Sequence, residues 1–163
     1  MASRKKPARK TATKAAPKRP SRGPSRTTFD DVAQKALLAM KRRAEQMKIR
    51  GVAVVAFSPG RNVTSWSSKM LTVGGKITGA SKRDPKAGAN CLGIAYAKAA
   101  EMADTKLDSG SGVRPPKLGE NGWQGGVVAK GKAGLVIAAF SGAVSEDDVK
   151  VSQAGLAVLT NAL

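Results

Sequence analysis

The sequence contains no histidine, which removes the commonest metal ligand and general base of enzymes. Without histidine, neither a Ser-His-Asp nor a Cys-His catalytic arrangement can form. The single cysteine, Cys91, excludes an intramolecular disulfide and cannot by itself build a structural zinc site. The acids at 146–148 have a sufficient structural account as partners of a helix dipole. These absences favour a non-enzymatic protein. An enzyme whose acid or base comes from a substrate or a metal is the weaker alternative, because its residues cannot be named.

Long apolar runs and aromatic side chains are also scarce. The longest apolar runs, of which Leu135–Phe140 is one, are far shorter than the roughly 20 residues that cross a bilayer, so no membrane span is predicted. The basic N-terminus is not followed by an apolar segment, so no secretory signal is predicted either. We therefore expect an intracellular protein that is cytoplasmic or associated with nucleic acid. The 41% of hydrophobic residues suits one small domain with a tail.

The tail is the segment Met1–Thr28, which holds ten basic residues and no acid, whereas 29–163 holds nineteen bases and eleven acids. It has no large apolar residue after Met1, so it is predicted to be disordered and separate from a domain at 29–163. Such an arm neutralises phosphates and binds nucleic acid without sequence preference. A solubilising extension without a specific partner is the alternative. The predicted contact residues are Arg4, Lys5, Lys6, Arg9, Lys10, Lys14, Lys18, Arg19, Arg22 and Arg26.

The C-terminal stretch carries the clearest structural pattern. Two short apolar runs, Val127–Ala129 and Leu135–Phe140, flank a glycine-containing loop and predict a β-hairpin. The second run is apolar on both faces, so we expect a central, covered strand. Ser145 is the predicted N-cap of a helix that runs from Glu146 to Asn161 and packs on the sheet.

The preceding part predicts helices and strands with weaker boundaries. A helix capped by Thr28 or Asp30 should run to about Lys48 and be followed by antiparallel strands at 51–57 and 63–71. The glycine-rich segment 72–84 is not assigned. A second helix should begin at Pro85 and end near Lys106. Its buried side would include Ala87 and Cys91, which makes Cys91 a core residue rather than a reactive thiol, whereas Lys98 would lie off that side.

The C-terminal stretch also carries a resemblance to a known family. The features that carry it are Gly125–Gly126, the two strands, Ser141–Gly142, the acidic start of the helix and Gln153–Ala157. This pattern resembles the C-terminal half of the GlcG/HbpS-type haem-binding domains, a family that also includes the C-terminal domain of PduO-type corrinoid adenosyltransferases. The resemblance is looser over Phe29–Ser109 and does not include the tail. It implies an α+β fold, a profilin-like antiparallel sheet with packed helices, assembled as a homo-oligomer.

The resemblance also implies a bound haem or corrinoid, for which histidine is the usual ligand in the family. This chain has none, so its cofactor is unknown, and haem and corrinoid are disfavoured. Met70, Cys91, Tyr96 or a lysine could ligate iron in principle. Lys69-Met70 looks like the counterpart of the family's Arg-Met pair. The chain departs from the family's Gly-Gly-x-Pro segment, since it reads Gly125-Gly126-Val127-Val128 there. Aromatic and polar residues near these segments are the pocket candidates, although each tryptophan could instead pack on the body: Trp66, Lys69, Asn121 and Trp123.

Two functional hypotheses follow from the sequence. The first is a non-enzymatic, oligomeric GlcG/HbpS-like domain whose basic arm associates with nucleic acid. The second is a binder of haem, a corrinoid or another flat small ligand that is held without a histidine.

Overall fold

The computed structural model describes residues 28–75, 77–81 and 86–163. Apart from Thr28, the tail with its ten candidate contact residues lies outside the described residues, as does Pro85. The described residues form helices and strands in the following order: α1 (Phe29–Gln46), β1 (Gly51–Pro59), β2 (Ser67–Val73), β3 (Thr78–Gly79), β4 (Ala89–Asn90), α2 (Cys91–Thr105), β5 (Gly126–Lys130), β6 (Gly134–Ser141) and α3 (Ser145–Ala162).

Four of the strands form one antiparallel sheet in the order β2-β1-β6-β5. Val54 at the centre of β1 pairs with Met70 of β2 on one side and with Ala139 of β6 on the other. All eight residues of β6 are buried. The predicted hairpin, the central position of its second strand and the α+β fold class are therefore confirmed.

Helices cover both faces of this sheet. Because successive side chains of a strand point to opposite faces, Ala53 and Val55 pack with α1 and α3, whereas Val52 and Val54 pack with α2. The core against α1 and α3 includes Phe140, which is fully buried. This arrangement explains why the central strands are apolar along their whole length.

The start of α1 is specified locally, as predicted. Thr28 Oγ1 accepts a hydrogen bond from the Asp31 amide at 3.3 Å, and Asp31 Oδ2 accepts one from the Thr28 amide at 3.2 Å. This reciprocal pair satisfies two amides that the helix cannot pair internally. The hydrogen bonds from Thr28 lower the pKa of the Asp31 carboxyl below its usual value.

Two predicted boundaries are wrong in the middle of the chain. The strand β2 begins at Ser67 instead of residue 63, because 61–66 form a loop in which the Ser65 carbonyl accepts from Ser58 Oγ at 2.8 Å. Helix α2 begins at Cys91 instead of residue 85, because the Asn90 side chain caps it by accepting from the Gly93 amide at 3.0 Å. Ala87 consequently precedes the helix and is exposed rather than buried.

The start of α3 also differs by one residue. Val144 occupies the N-cap position and makes no side-chain capping bond, so Ser145 is the first helical residue rather than the cap. The first turn is instead stabilised by its three acidic residues, whose charges complement the helix dipole. Within the described part of the chain, none of the helices combines the length and apolar character that crossing a bilayer requires.

Candidate ligand cleft

An open cleft of about 1120 Å³ lies at one end of the sheet. Antiparallel pairing of Val52 with Ser141 brings the start of β1 beside the end of β6 at this end. The first turns of α2 and α3 and the β3–β4 strand pair complete the walls. The volume is at or slightly above the roughly 300–1,000 Å³ that is typical of small-molecule sites.

A buried ion pair lies at the bottom of the cleft. Lys98 Nζ of α2 is 2.8 Å from Asp148 Oδ2 of α3, and these residues are 2% and 3% exposed. Lys98 Nζ also donates to the Phe140 carbonyl at 2.8 Å, and the Ala143 amide donates to Asp148 Oδ1 at 2.9 Å. Burial raises the pKa of the Asp148 carboxyl, and the charge and hydrogen bond of Lys98 oppose that rise. The pair therefore joins both helices to the end of β6.

Gly125 lies directly against this ion pair, where a residue with a side chain would not fit. Its φ of +130° lies in a region that side chains rarely adopt, and a Cβ there would collide with Lys98 Nζ. The Gly125 carbonyl accepts hydrogen bonds from Ser152 Oγ at 2.7 Å and from the Phe140 amide at 3.1 Å. The close approach of the backbone to a buried ammonium thus explains Gly125, whereas Gly126 is explained by the Met102 side chain, which occupies the space of a Cβ there.

Trp123 lines the cleft from the loop that joins α2 to β5. This loop is attached to α2 at Gly110, whose amide donates to Glu101 Oε1 at 2.9 Å. A Cβ on Gly110 would press on the backbone of Trp123 and Gln124, so the turn at Gly110 lies directly against the segment that carries the tryptophan. Among the described residues, Glu101 Oε2 is buried without a hydrogen-bond partner.

A second group of charges holds the same loop. Arg114 makes two hydrogen bonds to the Glu120 carboxylate, at 2.7 and 2.8 Å, and a third to Asp104 of α2 at 2.6 Å. Lys117 also pairs with Asp104, at 2.9 Å. The hydrogen bonds from Arg114 lower the pKa of Glu120 to about 2, and they raise the pKa of Arg114 in turn. These bonds tie the loop to α2 through Asp104.

Cys91 is the first residue of α2 and lies in the floor of the cleft. It is 5% exposed, as expected for a core cysteine. Burial raises the pKa of its thiol, and a hydrogen bond with Ser141 partly offsets this effect. The neutral thiol is therefore favoured, and the residue resembles a packing group more than a nucleophile.

The rim of the cleft is cationic. Lys48 and Arg50 line it, are exposed, and have no ion-pair partner among the residues that the structure describes. Among the described residues, the other charged side chains that line the cleft are Lys98 and Asp148, which neutralise one another. The cleft therefore carries two uncompensated positive charges, which favour an anionic ligand.

The structure does not bring the four predicted pocket residues together. Trp123 lines the cleft, whereas Trp66 precedes β2 at the opposite end of the sheet and packs against the core cluster around Ile137. Lys69 lies in β2 and pairs with Asp30 of α1 at 3.2 Å. Asn121 is half-buried in the loop before Trp123 and is not among the lining residues.

Sequence reasoning missed the ion pair. The prediction that Lys98 lies off the buried side of α2 is wrong, and a helix-dipole role alone does not describe Asp148. The sequence does contain an indication that Lys98 is buried. Lys98 follows Cys91 by seven residues and Ile94 by four, which places all three on one helix face. No local pattern indicates the partner fifty positions away.

The residues of the cleft do not fit a haem or corrinoid that is held through its metal. Among the candidate iron ligands, Met70 and Tyr96 do not line the cleft. Lys98 is engaged by Asp148, the neutral thiol of Cys91 is favoured, and the Lys48 side chain is exposed at the rim. The described part of the chain also contains no group of three or more Cys, Asp or Glu side chains placed to bind a metal ion.

A scan against protein-family models and a search of curated proteins both return no match for this chain. Its function is therefore inferred from the cleft and from the distribution of charge.

Proposed function

We propose that the folded domain is a non-enzymatic binding module whose cleft holds a flat, negatively charged organic molecule. The observation that carries this proposal is the cleft itself, which combines Trp123 on an ordered loop with two uncompensated cations, Lys48 and Arg50. An aromatic side chain favours a flat partner through stacking, and the cations favour a carboxylate or a phosphate.

The charges of the two bordering helices favour a position near α2 for the anionic group of the proposed ligand. The first turn of α2 carries no acid, so its N-terminal amides attract negative charge. In the first turn of α3, Asp148 and Asp147 pair with Lys98 and Lys150. Glu146 has no ion-pair partner among the described residues, so its charge repels an anion there. Cys91 packs in one cluster with Val52 at the start of β1, and Arg50 immediately precedes β1. An anion near Cys91 would therefore also lie on the Arg50 side of the cleft.

The resemblance to the GlcG/HbpS-type domains supports a flat ligand but not one that is bound through iron or cobalt. Members of that family are associated with tetrapyrroles, which are flat molecules that carry carboxylates. In this chain the recognition would depend on stacking and charge, because the described residues that line the cleft supply no suitable metal ligand.

Fluorescence of Trp123 tests the proposal. The variant Trp66→Phe leaves Trp123 as the sole tryptophan, and flavin mononucleotide and metal-free protoporphyrin IX serve as flat anionic probes. We expect saturable quenching with at least one probe. Arg50→Gln in the same background should weaken that affinity by about tenfold, the usual effect of removing a hydrogen bond to a charged group.

The matched control is Trp123→Phe, which leaves only Trp66 at the far end of the sheet. Its fluorescence should be quenched less than that of Trp123, because Trp66 lies at the far end of the sheet from the cleft. If Trp123 shows no saturable quenching with either probe, the proposed ligand class is wrong.

A second proposal concerns the basic arm, because ten bases without an acid are the strongest charge feature of the chain. In this proposal the domain is an oligomeric scaffold whose arm associates with nucleic acid through phosphate contacts. Removal of residues 1–27, which keeps the capping Thr28, should abolish most salt-sensitive binding to duplex DNA. Unchanged binding would contradict the arm's role, and a monomeric mass in light scattering would contradict the oligomer.

A further inference from the structure

The C-terminal end of α1 and the turn that follows it carry an unusual density of positive charge. Residues 41–50 hold five bases and one acid, a net charge of +4, which is half of the net +8 of residues 29–163. The one acid, Glu45, pairs with Lys41 at 3.7 Å. We call the remaining four bases the α1 basic patch: Arg42, Arg43, Lys48 and Arg50.

All four side chains of the α1 basic patch are exposed, and none has an ion-pair or hydrogen-bond partner among the described residues. Elsewhere on the domain, Lys69, Lys117 and Lys150 each pair with a carboxylate. The charge of the patch is therefore available to an outside partner. Exposed, unpaired arginines suit phosphate in particular, since the guanidinium group binds two phosphate oxygens at once.

The position of the patch relative to the arm suggests one continuous partner. The arm joins the domain at Thr28, at the start of α1, and the patch lies at the other end of this helix of 18 residues. That length is about 27 Å, which corresponds to roughly 8 base pairs of duplex DNA. A partner that touches both ends must be an extended polyanion rather than a single anionic molecule.

We infer that Arg42, Arg43, Lys48 and Arg50 form a phosphate-binding surface through which the folded domain contacts the same nucleic acid backbone as the arm. This inference rests on the second proposal above, that the arm binds nucleic acid, and it extends that interaction to the folded domain. It assigns no base-specific contact, because phosphate contacts position a protein without reading sequence.

Salt dependence measured on the full-length protein tests this surface. The variant Arg42→Gln/Arg43→Gln removes two charges that do not line the cleft, so the ligand site is left unchanged. The matched control, Lys130→Gln/Lys132→Gln, removes two exposed charges at the opposite end of the sheet. Affinity for a fluorescein-labelled 20-bp duplex of mixed sequence is measured by anisotropy over a range of salt concentrations.

We expect the slope of log K against log salt to decrease by about 1.8 in the Arg42→Gln/Arg43→Gln variant, since each phosphate contact contributes about 0.9. The control variant should change the slope by much less than the contribution of one phosphate contact. Equal slopes for wild type and the arginine variant would overturn the inference, and so would equal decreases in both variants.

Two further measurements distinguish a failure of this inference from a failure of the proposal that the arm binds nucleic acid. If removing residues 1–27 abolishes DNA binding while Arg42→Gln/Arg43→Gln leaves the slope unchanged, the arm binds and the patch does not. If full-length protein binds anionic phosphatidylserine vesicles but not the duplex, the partner is a membrane surface and both nucleic-acid assignments are wrong.

Discussion

Loss of one partner of the Lys98–Asp148 pair should strongly destabilise the domain. In Lys98→Met, the thioether chain fills most of the space of the lysine stem but leaves the Asp148 carboxylate buried opposite an apolar group. Asp148 keeps its hydrogen bond from Ala143, yet it loses Lys98, the one cation that contacts it among the described residues. Breaking a buried pair in this way costs about 3–5 kcal/mol.

Helix α3, which carries Asp148, also carries an exposed ion pair that serves for comparison. Lys150 and Asp147 are 2.9 Å apart, close to the 2.8 Å of the buried pair, but their side chains are 50% and 33% exposed. Lys150→Met should therefore cost less than about 1 kcal/mol, as exposed ion pairs do. The contrast between these two lysines isolates the contribution of burial.

Urea denaturation followed by far-UV circular dichroism measures the loss of unfolding free energy in both variants, Lys98→Met and Lys150→Met. The double variant Lys98→Met/Asp148→Asn should recover part of the loss, since it no longer contains an uncompensated buried charge. A cost below about 1 kcal/mol for Lys98→Met would refute the reasoning, because it would show that the pair is solvated in solution. A double variant that is less stable than Lys98→Met would refute the claim that the unpaired charge causes the loss.

Three further predictions follow from single residues. Gly125→Ala should cost clearly more than Gly60→Ala in urea denaturation, since both have a positive φ but only Gly125 lacks space for a Cβ; equal costs would contradict the packing against Lys98. The folded-state pKa of Glu120 is lowered to about 2, so its stabilising effect is fully present above about pH 4.5 and is lost as the pH falls towards 2. Glu120→Gln should flatten this part of the stability profile, and an unchanged profile would contradict the Arg114 network. Cys91 should react with iodoacetamide far more slowly in the folded protein than in urea at the same pH, and equal rates would contradict its burial.

Local signals were sufficient for the fold wherever one segment specifies its own structure. Thr28 and Asp31 form a capping box from residues three apart, and the apolar run at 135–140 reports a strand that is covered on both faces. The start of α2 was misplaced because Asn90 caps the helix while it also pairs with Thr78 in a two-stranded sheet. That pairing depends on a separate segment, so a pattern within the helix could not reveal it.

The candidate site was harder to predict for the same reason. Trp66 and Trp123 carry the same sequence signal, an isolated aromatic residue among polar neighbours, and only the strand order separates the one in the cleft from the one at the opposite end. Lys98 and Asp148 meet because α2 and α3 converge on the end of β6. A lysine in a sequence is normally expected at the surface, so its burial becomes evident only with its partner in place.

The most direct test of the proposed binding module is a chemical-shift map of the amide resonances during titration with flavin mononucleotide. The cleft predicts saturable shifts for Arg50, Cys91 and Trp123, and for residues 141–145 at the end of β6. The resonances around Trp66, at the opposite end of the sheet, should not change. An absence of saturable shifts, or shifts that cluster away from the cleft, would contradict the assignment of this cleft as the ligand site.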